Sequence, residues 1–491
     1  MPVLASLPPD PSIPLDRENR RRAFLWGSAV CVIVLAMRTP ILVRPGIIID
    51  DFQILAQSWT WEATRANLWL PANEHSMPLG RLSTWAAVRV TGRLTDTLRL
   101  LCFQGPLAVA VAAVLVYLFV RRETGQPLPA LLAMALFGVS THYWEAVVWF
   151  AASFAVLGLV MLLLGLVAAQ RWRQTGRRRS LVWSALWCGL APGWFGTGML
   201  AGPLCSLYLL GSDTPALRQD QRWRRRLLAL TPCLGTAISL AVTLPLNAER
   251  ILNLPRSSLN KKAWETFNPL VGLEYTLRAV VDDVLPGVVG VSTLSLPVPW
   301  VWLALVVLVG AGVWWWRSAP ARALILLGLG MIVSNYLLIF TARAYQDYAD
   351  VHSSRYQLYP HLGLALIVGG GWRRGWYPTS LGAIPHWKVA AFLAVLVLAQ
   401  SWPNWCWIGD LRQAADFRRI EEVDARCRRY HIDARTARQA LPEKFEVVGC
   451  TPEQKVDGRP VIGWDFLRGS DDPRPVSIDE ARRLLVPTDE P

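Results

Sequence analysis

About eleven apolar runs, most of them near the ~20-residue length that crosses a bilayer core, leave this chain few folds other than a helical membrane bundle. The runs are roughly Phe24 to Val43, Leu98 to Val120, Leu128 to Ser140, Phe150 to Ala169, Leu181 to Trp194 and Thr197 to Leu210. Then come Leu227 to Leu246, Pro299 to Trp316, Ala323 to Thr341, Leu358 to Gly371 and Val389 to Trp405. In hydrocarbon every backbone amide must be satisfied within its own segment, so runs of this kind form helices. The third, fifth and tenth runs are short and predict tilted, broken or partly re-entrant helices. With 491 residues, 53% of them hydrophobic and only 18% charged, the chain is too apolar for a soluble protein of its size. The first run has no small-residue cleavage site after it and reads as an anchor.

The net charge of +14 does not point to a nucleic acid, because the Arg clusters sit between the runs, where they set topology. Arg17, Arg20, Arg21 and Arg22 precede the first run. Arg121 and Arg122 follow the second, Arg171 to Arg179 the fourth, and Arg218 to Arg226 the sixth. Arg317 and Arg322 join the eighth to the ninth, and Arg373, Arg374 and Lys388 join the tenth to the eleventh. All of these fall on one side, which predicts a cytoplasmic N-terminus and an extracytoplasmic C-terminus in a multi-pass protein, in a bacterial inner membrane. The chain divides into a cytoplasmic segment 1–22, a polytopic domain 23–405 and an extracytoplasmic tail 406–491.

The eight cysteines are too scattered for a metal motif. Cys31, Cys102, Cys188, Cys205 and Cys233 fall in apolar runs and predict packing; one disulfide among Cys406, Cys427 and Cys450 is compatible with an external tail. In that tail Ile478, Ala481, Leu484 and Leu485 form a helical stripe, and Phe445 to Val448 reads as a strand.

The same topology places nearly all the mixed polar content outside. The first outer loop, Arg44 to Thr97, carries Asp50, Asp51, Trp59, Trp61, Glu62, His75, Pro78 and Arg81, with apolar stripes that predict interfacial helices. One of the aspartates alternatively caps a helix opening at Phe52. The turn Thr141 to Trp149 carries His142 and Glu145, and the turn before the tenth run carries Arg355 and Tyr356. Asp282-Asp283 in the stretch Asn247 to Pro297 is a competing acidic pair, or a solvated helix end. A carboxylate just outside the hydrocarbon can act as a base without the cost of burying its charge there. An Arg fork suits a phosphate. Sugar transfer from a polyprenyl phosphate needs those parts: a carboxylate to deprotonate the acceptor hydroxyl and positive charge to stabilise the departing phosphate.

Three places resemble the GT-C superfamily of polytopic glycosyltransferases, and within it the protein O-mannosyltransferases that carry tetratricopeptide tails. His75-Ser76-Met77-Pro78-Leu79 lies where those enzymes have a His followed by Pro-Leu. Leu136-Phe137-Gly138-Val139 leading to Glu145-Ala146-Val147 resembles their third helix and its end, and Arg355-Tyr356 with Pro360 resembles an Arg-Tyr motif opening a late helix. Three departures stand beside these: Ser140-Thr141 replaces a His-Pro pair, Ala151-Ala152-Ser153 replaces an Arg plus acid, and no tetratricopeptide repeats follow. The resemblance implies an all-α, GT-C-like bundle with catalysis on the outer face. It implies a dolichyl- or undecaprenyl-phosphate-sugar donor and a protein or glycan acceptor at the lipid surface. Asp50 or Asp51 would be the base, with Asp51 slightly favoured, and Glu145 a second acid. Arg355 would hold the lipid phosphate, while His75, Arg81, His142 and Tyr356 would line the substrate. No cofactor is required, although the two aspartates with Glu145 could take Mg or Mn through oxygen.

Three other readings stay open. A flippase for lipid-linked oligosaccharide would put charge at the midplane, where only Arg38 is found. An O-antigen ligase or polymerase would release a pyrophosphate carrier, and a non-catalytic relative would only bind glycans.

Overall fold

The computed structural model describes residues 17–38, 49–72, 75–211, 222–253, 269–288, 290, 322–343, 353–371, 384–413, 417–440, 455–456, 459–460, 470 and 472–485. The eighth run, Lys261, Lys262, and the segment Phe445 to Val448 lie outside these residues, as do the side chains of Asp50 and Cys406 and all of Cys450. Each of the other ten runs forms helix: α1 (Arg17–Ala36), α5 (Leu94–Thr124), α6 (Pro127–Val139), α8 (Phe150–Thr175), α9 (Arg178–Leu190) and α10 (Ala201–Leu210). The later ones are α11 (Arg222–Ala229) with α12 (Thr231–Asn253), α15 (Arg322–Arg343), α16 (Leu358–Gly371) and α17 (His386–Gln413). Among the described residues four stretches are long and apolar enough to cross a membrane: Asp96–Thr124, Phe150–Thr175, Trp223–Thr243 and Arg322–Phe340. The others fall short for reasons visible in the chain. Helix α6 opens on Pro127 and ends at Ser140, and Pro192 with Gly193 breaks the stretch between α9 and α10 into 3-10 turns.

The bundle is built on α5 against α8 and α6, α9 against α8 and α12, and α15 along α16. Helices α5 and α8 stop alike: Gly125 and Gly176 take φ of 69° and 67°, and their amides return to Arg121 and Trp172. That left-handed cap is open to glycine at little steric cost. Arg38 was expected inside the first span, but α1 ends at Ala36. Its guanidinium donates to Val34 O at 3.0 Å and Ser140 O at 2.8 Å, closing the carbonyl ends of α1 and α6, where a cation is electrostatically favoured.

The first loop folds into α2 (Ile49–Gln57), α3 (Trp61–Asn67), a two-stranded pair Pro71–Ala72 with His75–Ser76, and α4 (Pro78–Thr91). Trp61 and Trp69 are exposed on it. Helix α2 opens at Ile49 rather than Phe52, so neither aspartate caps it from outside. Between α5 and α8, the short α7 (Glu145–Val148) sits on Gly105 of α5, where an added Cβ would lie 2.2 Å from Val147 O. Gly105→Ala must push α7 off α5, and the expected loss is about 1–3 kcal/mol in thermal unfolding of the purified protein.

Helix α17 runs on past Trp405 into the tail. There α18 (Phe417–Arg429), α19 (Ala434–Ala440) and α20 (Ile478–Leu485) bury Val423, Cys427, Ile432, Ala437, Ala481 and Leu485, and α18 touches α5. The stripe read from Ile478, Ala481, Leu484 and Leu485 is therefore a real helix, with Ala481 and Leu485 inward. Asp433 accepts from the Thr436 hydroxyl and the Thr436 and Arg435 amides, bonds that hold its carboxyl below the usual range and open α19. Cys427 is a free thiol, pushed up to about 12 by burial.

Candidate functional site

One end of the bundle gathers segments far apart in sequence, and the stretch 145–151 is their meeting point. Asp51 is fully buried, and its Oδ1 accepts from the Ala151 amide at 2.9 Å, in the first turn of α8. First-turn amides have no partner within their own helix, and the positive end of the helix favours an anion. Asp51 is thus a cap, but for a helix 100 residues away rather than its own.

Glu145 faces the other way. Its amide donates to Ser354 Oγ at 3.0 Å; its Oε2 accepts from the Ser353 hydroxyl at 2.7 Å and from the Arg355 amide at 3.1 Å. Ser354–Gln357 is a 3-10 turn leading into α16, and the Arg355 guanidinium lies over two rings, Trp149 at 5.2 Å and Tyr356 at 5.0 Å. Glu145 and Arg355 are therefore brought together, and Asp51 is tied to the same stretch through Ala151. Glu145 is a half-buried, bonded carboxylate rather than a solvated turn residue.

His142 is buried, 5.0 Å from the ring of His361 between centroids, and Gly287 packs on both, since a Cβ there would lie 2.7 Å from the first and 2.8 Å from the second. Two other expected site residues make contacts within the first loop and with the turn at 195–196. The His75 ring lies 4.1 Å from that of Phe195, tilted by 35°, and rests on Gly196, where a Cβ would come within 2.5 Å of it. Arg81 is fully buried and donates to Gln57 Oε1 at 2.7 Å and to Leu70 O, which commits it to closing the first loop.

Asp282 and Asp283 are not a solvated helix end. Both are buried, in the π-helical segment Val280–Val284 between α13 (Pro269–Ala279) and α14 (Leu285–Val288). Among the described residues no three His, Cys, Asp or Glu side chains converge as a metal site. The side chain of Asp50, which the sequence reading grouped with Asp51 and Glu145, lies outside the described residues.

Several residues that order this end have no motif to announce them. Gln400 of α17 accepts from the Thr141 amide at 2.9 Å and donates to Gly287 O at 2.8 Å, tying the 141 turn to α14. Asn335 and Tyr336 of α15 hold the 3-10 turn through Tyr356 O at 3.0 Å and Gln357 Oε1 at 2.6 Å. Each is a polar side chain in an apolar run, and such a side chain must find a partner inside the protein. That rule was the available signal.

No family model matches the sequence, and no curated protein matches it either. Solved structures with a related arrangement include ArnT from Cupriavidus metallidurans bound to undecaprenyl phosphate, at 15% identity and a TM-score of 0.47, over 91% of this chain and 85% of that one. Another is the archaeal oligosaccharyltransferase AglB from Archaeoglobus fulgidus, in complex with an inhibitory peptide and a dolichol-phosphate. Its identity is 13% and its TM-score 0.41, over 82% of this chain but only 58% of that one. A likeness this distant assigns neither substrate nor residue roles to the present chain.

Proposed function

We propose that the chain is a membrane glycosyltransferase that moves a sugar from a polyprenyl-phosphate-linked donor to a hydroxyl of a protein or glycan acceptor, on the extracytoplasmic side. The observation that supports this reading is that Asp51 and Arg355 each contact the stretch 145–151, Asp51 at the Ala151 amide and Arg355 over the Trp149 ring. A carboxylate from the first loop and a cation from a late turn are the two groups the reaction asks for, and each contacts the same short stretch, at Ala151 and Trp149, 100 and 206 positions away in sequence.

In this reading an aspartate of the Asp50-Asp51 pair takes the acceptor proton as the acceptor oxygen attacks the anomeric carbon. The bond from that carbon to the phosphate oxygen breaks, and the electron pair leaves with the lipid monophosphate. Arg355 meets the growing phosphate charge, and the rings of Trp149 and Tyr356 hold its guanidinium by cation–π contact.

The test is release of radiolabelled sugar from a panel of polyprenyl-phosphate donors by purified protein in lipid. Turnover with a monophosphate product supports the proposal; a pyrophosphate product assigns a ligase or polymerase instead, and no turnover with any donor removes the transferase. Arg355→Ala should weaken donor binding about tenfold to a hundredfold, the loss of one or two charge-assisted hydrogen bonds. Arg355→Lys should not restore it, because an ammonium offers no planar fork to phosphate and no planar face to the rings. Full donor affinity in the Lys variant would show that charge alone matters there.

A further inference from the structure

We infer that Glu145 is the positioning residue for Arg355, acting through the 353–355 turn rather than as an acid or base of its own. The inference rests on the transferase reading for its consequence, but not for its geometry.

The turn is gripped from two sides. On one, the Glu145 amide holds Ser354 Oγ, while Oε2 holds the Ser353 hydroxyl and the Arg355 amide, so both lone pairs of that oxygen are used in fastening backbone and side chain of the turn. On the other, Asn335 and Tyr336 hold Tyr356 O and Gln357 Oε1. Four residues after Glu145, Trp149 supplies one of the two rings under the guanidinium. One short stretch therefore fixes Arg355 twice, at its amide by Glu145 and at its head group by Trp149. A carboxylate committed in this way contributes by pre-organising the cation. An arginine already held at its amide and its head group loses less freedom when the phosphate binds.

The geometry also says which substitution is tolerated. A glutamine carbonyl oxygen accepts the same two hydrogen bonds that Oε2 accepts, whereas alanine accepts none. An acid or base role would make the two variants equally inactive. A positioning role separates them.

The experiment is steady-state kinetics on the full chain in lipid with the active donor, together with hydrogen exchange at the Arg355 amide, for Glu145→Gln, Glu145→Ala and Ser353→Ala. For Glu145→Ala the expected result is a donor KM raised about tenfold with kcat changed by less than about threefold, and faster exchange at Arg355. Glu145→Gln should stay within about threefold of wild type in both constants, with an unmoved pH profile and a protected Arg355 amide. Ser353→Ala should raise KM alone. A Gln variant as impaired in kcat as the Ala variant, with a limb of the pH profile gone, would overturn the assignment in favour of proton transfer. If wild type turns over no donor, the transferase reading fails, and exchange still decides the coupling. Faster exchange at Arg355 in the Ala but not the Gln variant upholds it, and unchanged exchange in both overturns it.

Discussion

Asp51→Asn is expected to lower transfer by about 10²–10⁴-fold, the usual loss when a positioned general base is removed, while the protein folds and inserts as before. The second half of that expectation comes from the hydrogen bond to Ala151. An asparagine carbonyl accepts the same amide at the start of α8, so the cap survives and only the charge goes. Asp51→Ala removes both, and should also cost about 0.5–2 kcal/mol of stability for the lost cap. Comparing sugar release with thermal unfolding for the two variants separates chemistry from support. Transfer intact in Asp51→Asn but lost in Asp50→Asn would make Asp51 a cap and pass the base to its neighbour. Transfer intact in both would remove the mechanism.

The case of Asp51 also shows where sequence reading stops. That an acid at this point caps a helix was legible from residue type and position; which helix was not, because Ala151 lies 100 residues on and carries no mark of the contact. The same is true of Glu145 and Ser353, 208 residues apart. Helices were legible because hydrocarbon-length apolar runs have no other way to satisfy their backbone. Their ends were less so: α1 stops at Ala36, short of the run it belongs to, and turns Arg38 from a midspan charge into a helix cap. Asp282 and Asp283 misled for a related reason. A carboxylate pair flanked by valines reads as a helix end, and no local pattern signals the π-helical turn in which both are buried. Gln400, by contrast, was readable in principle, since an amide within an apolar run needs an internal partner.

At the far end of α8 a second buried carboxylate predicts a large effect on stability with no direct effect on chemistry. Glu123, in the last turn of α5, has a side chain only 4% exposed, and Arg173, in the last turn of α8, 15%. Arg173 Nη2 donates to both carboxylate oxygens, at 2.7 and 2.8 Å, and Gln170 Nε2 and the Tyr208 hydroxyl donate to Oε1 as well. Three helices, α5, α8 and α10, are thus closed on one carboxylate. Removing it by Glu123→Ala takes a shared acceptor at once from a largely buried guanidinium, a phenol and the Gln170 amide, which keeps its bond to Phe119 O at 3.1 Å, and the expected cost is about 3–5 kcal/mol. Replacing the pair together, Glu123→Leu with Arg173→Met, leaves no uncompensated charge and should recover much of that loss, because a buried ion pair is strongly needed only by its own other half. The cluster stands about 33 Å from Ala151 along α8 at 1.5 Å per residue. Sugar release per folded molecule should therefore stay near wild type in both variants while the unfolding temperature falls only in the first. A double variant as unstable as Glu123→Ala would mean that the Gln170 and Tyr208 bonds, rather than the stranded charge of Arg173, set the cost.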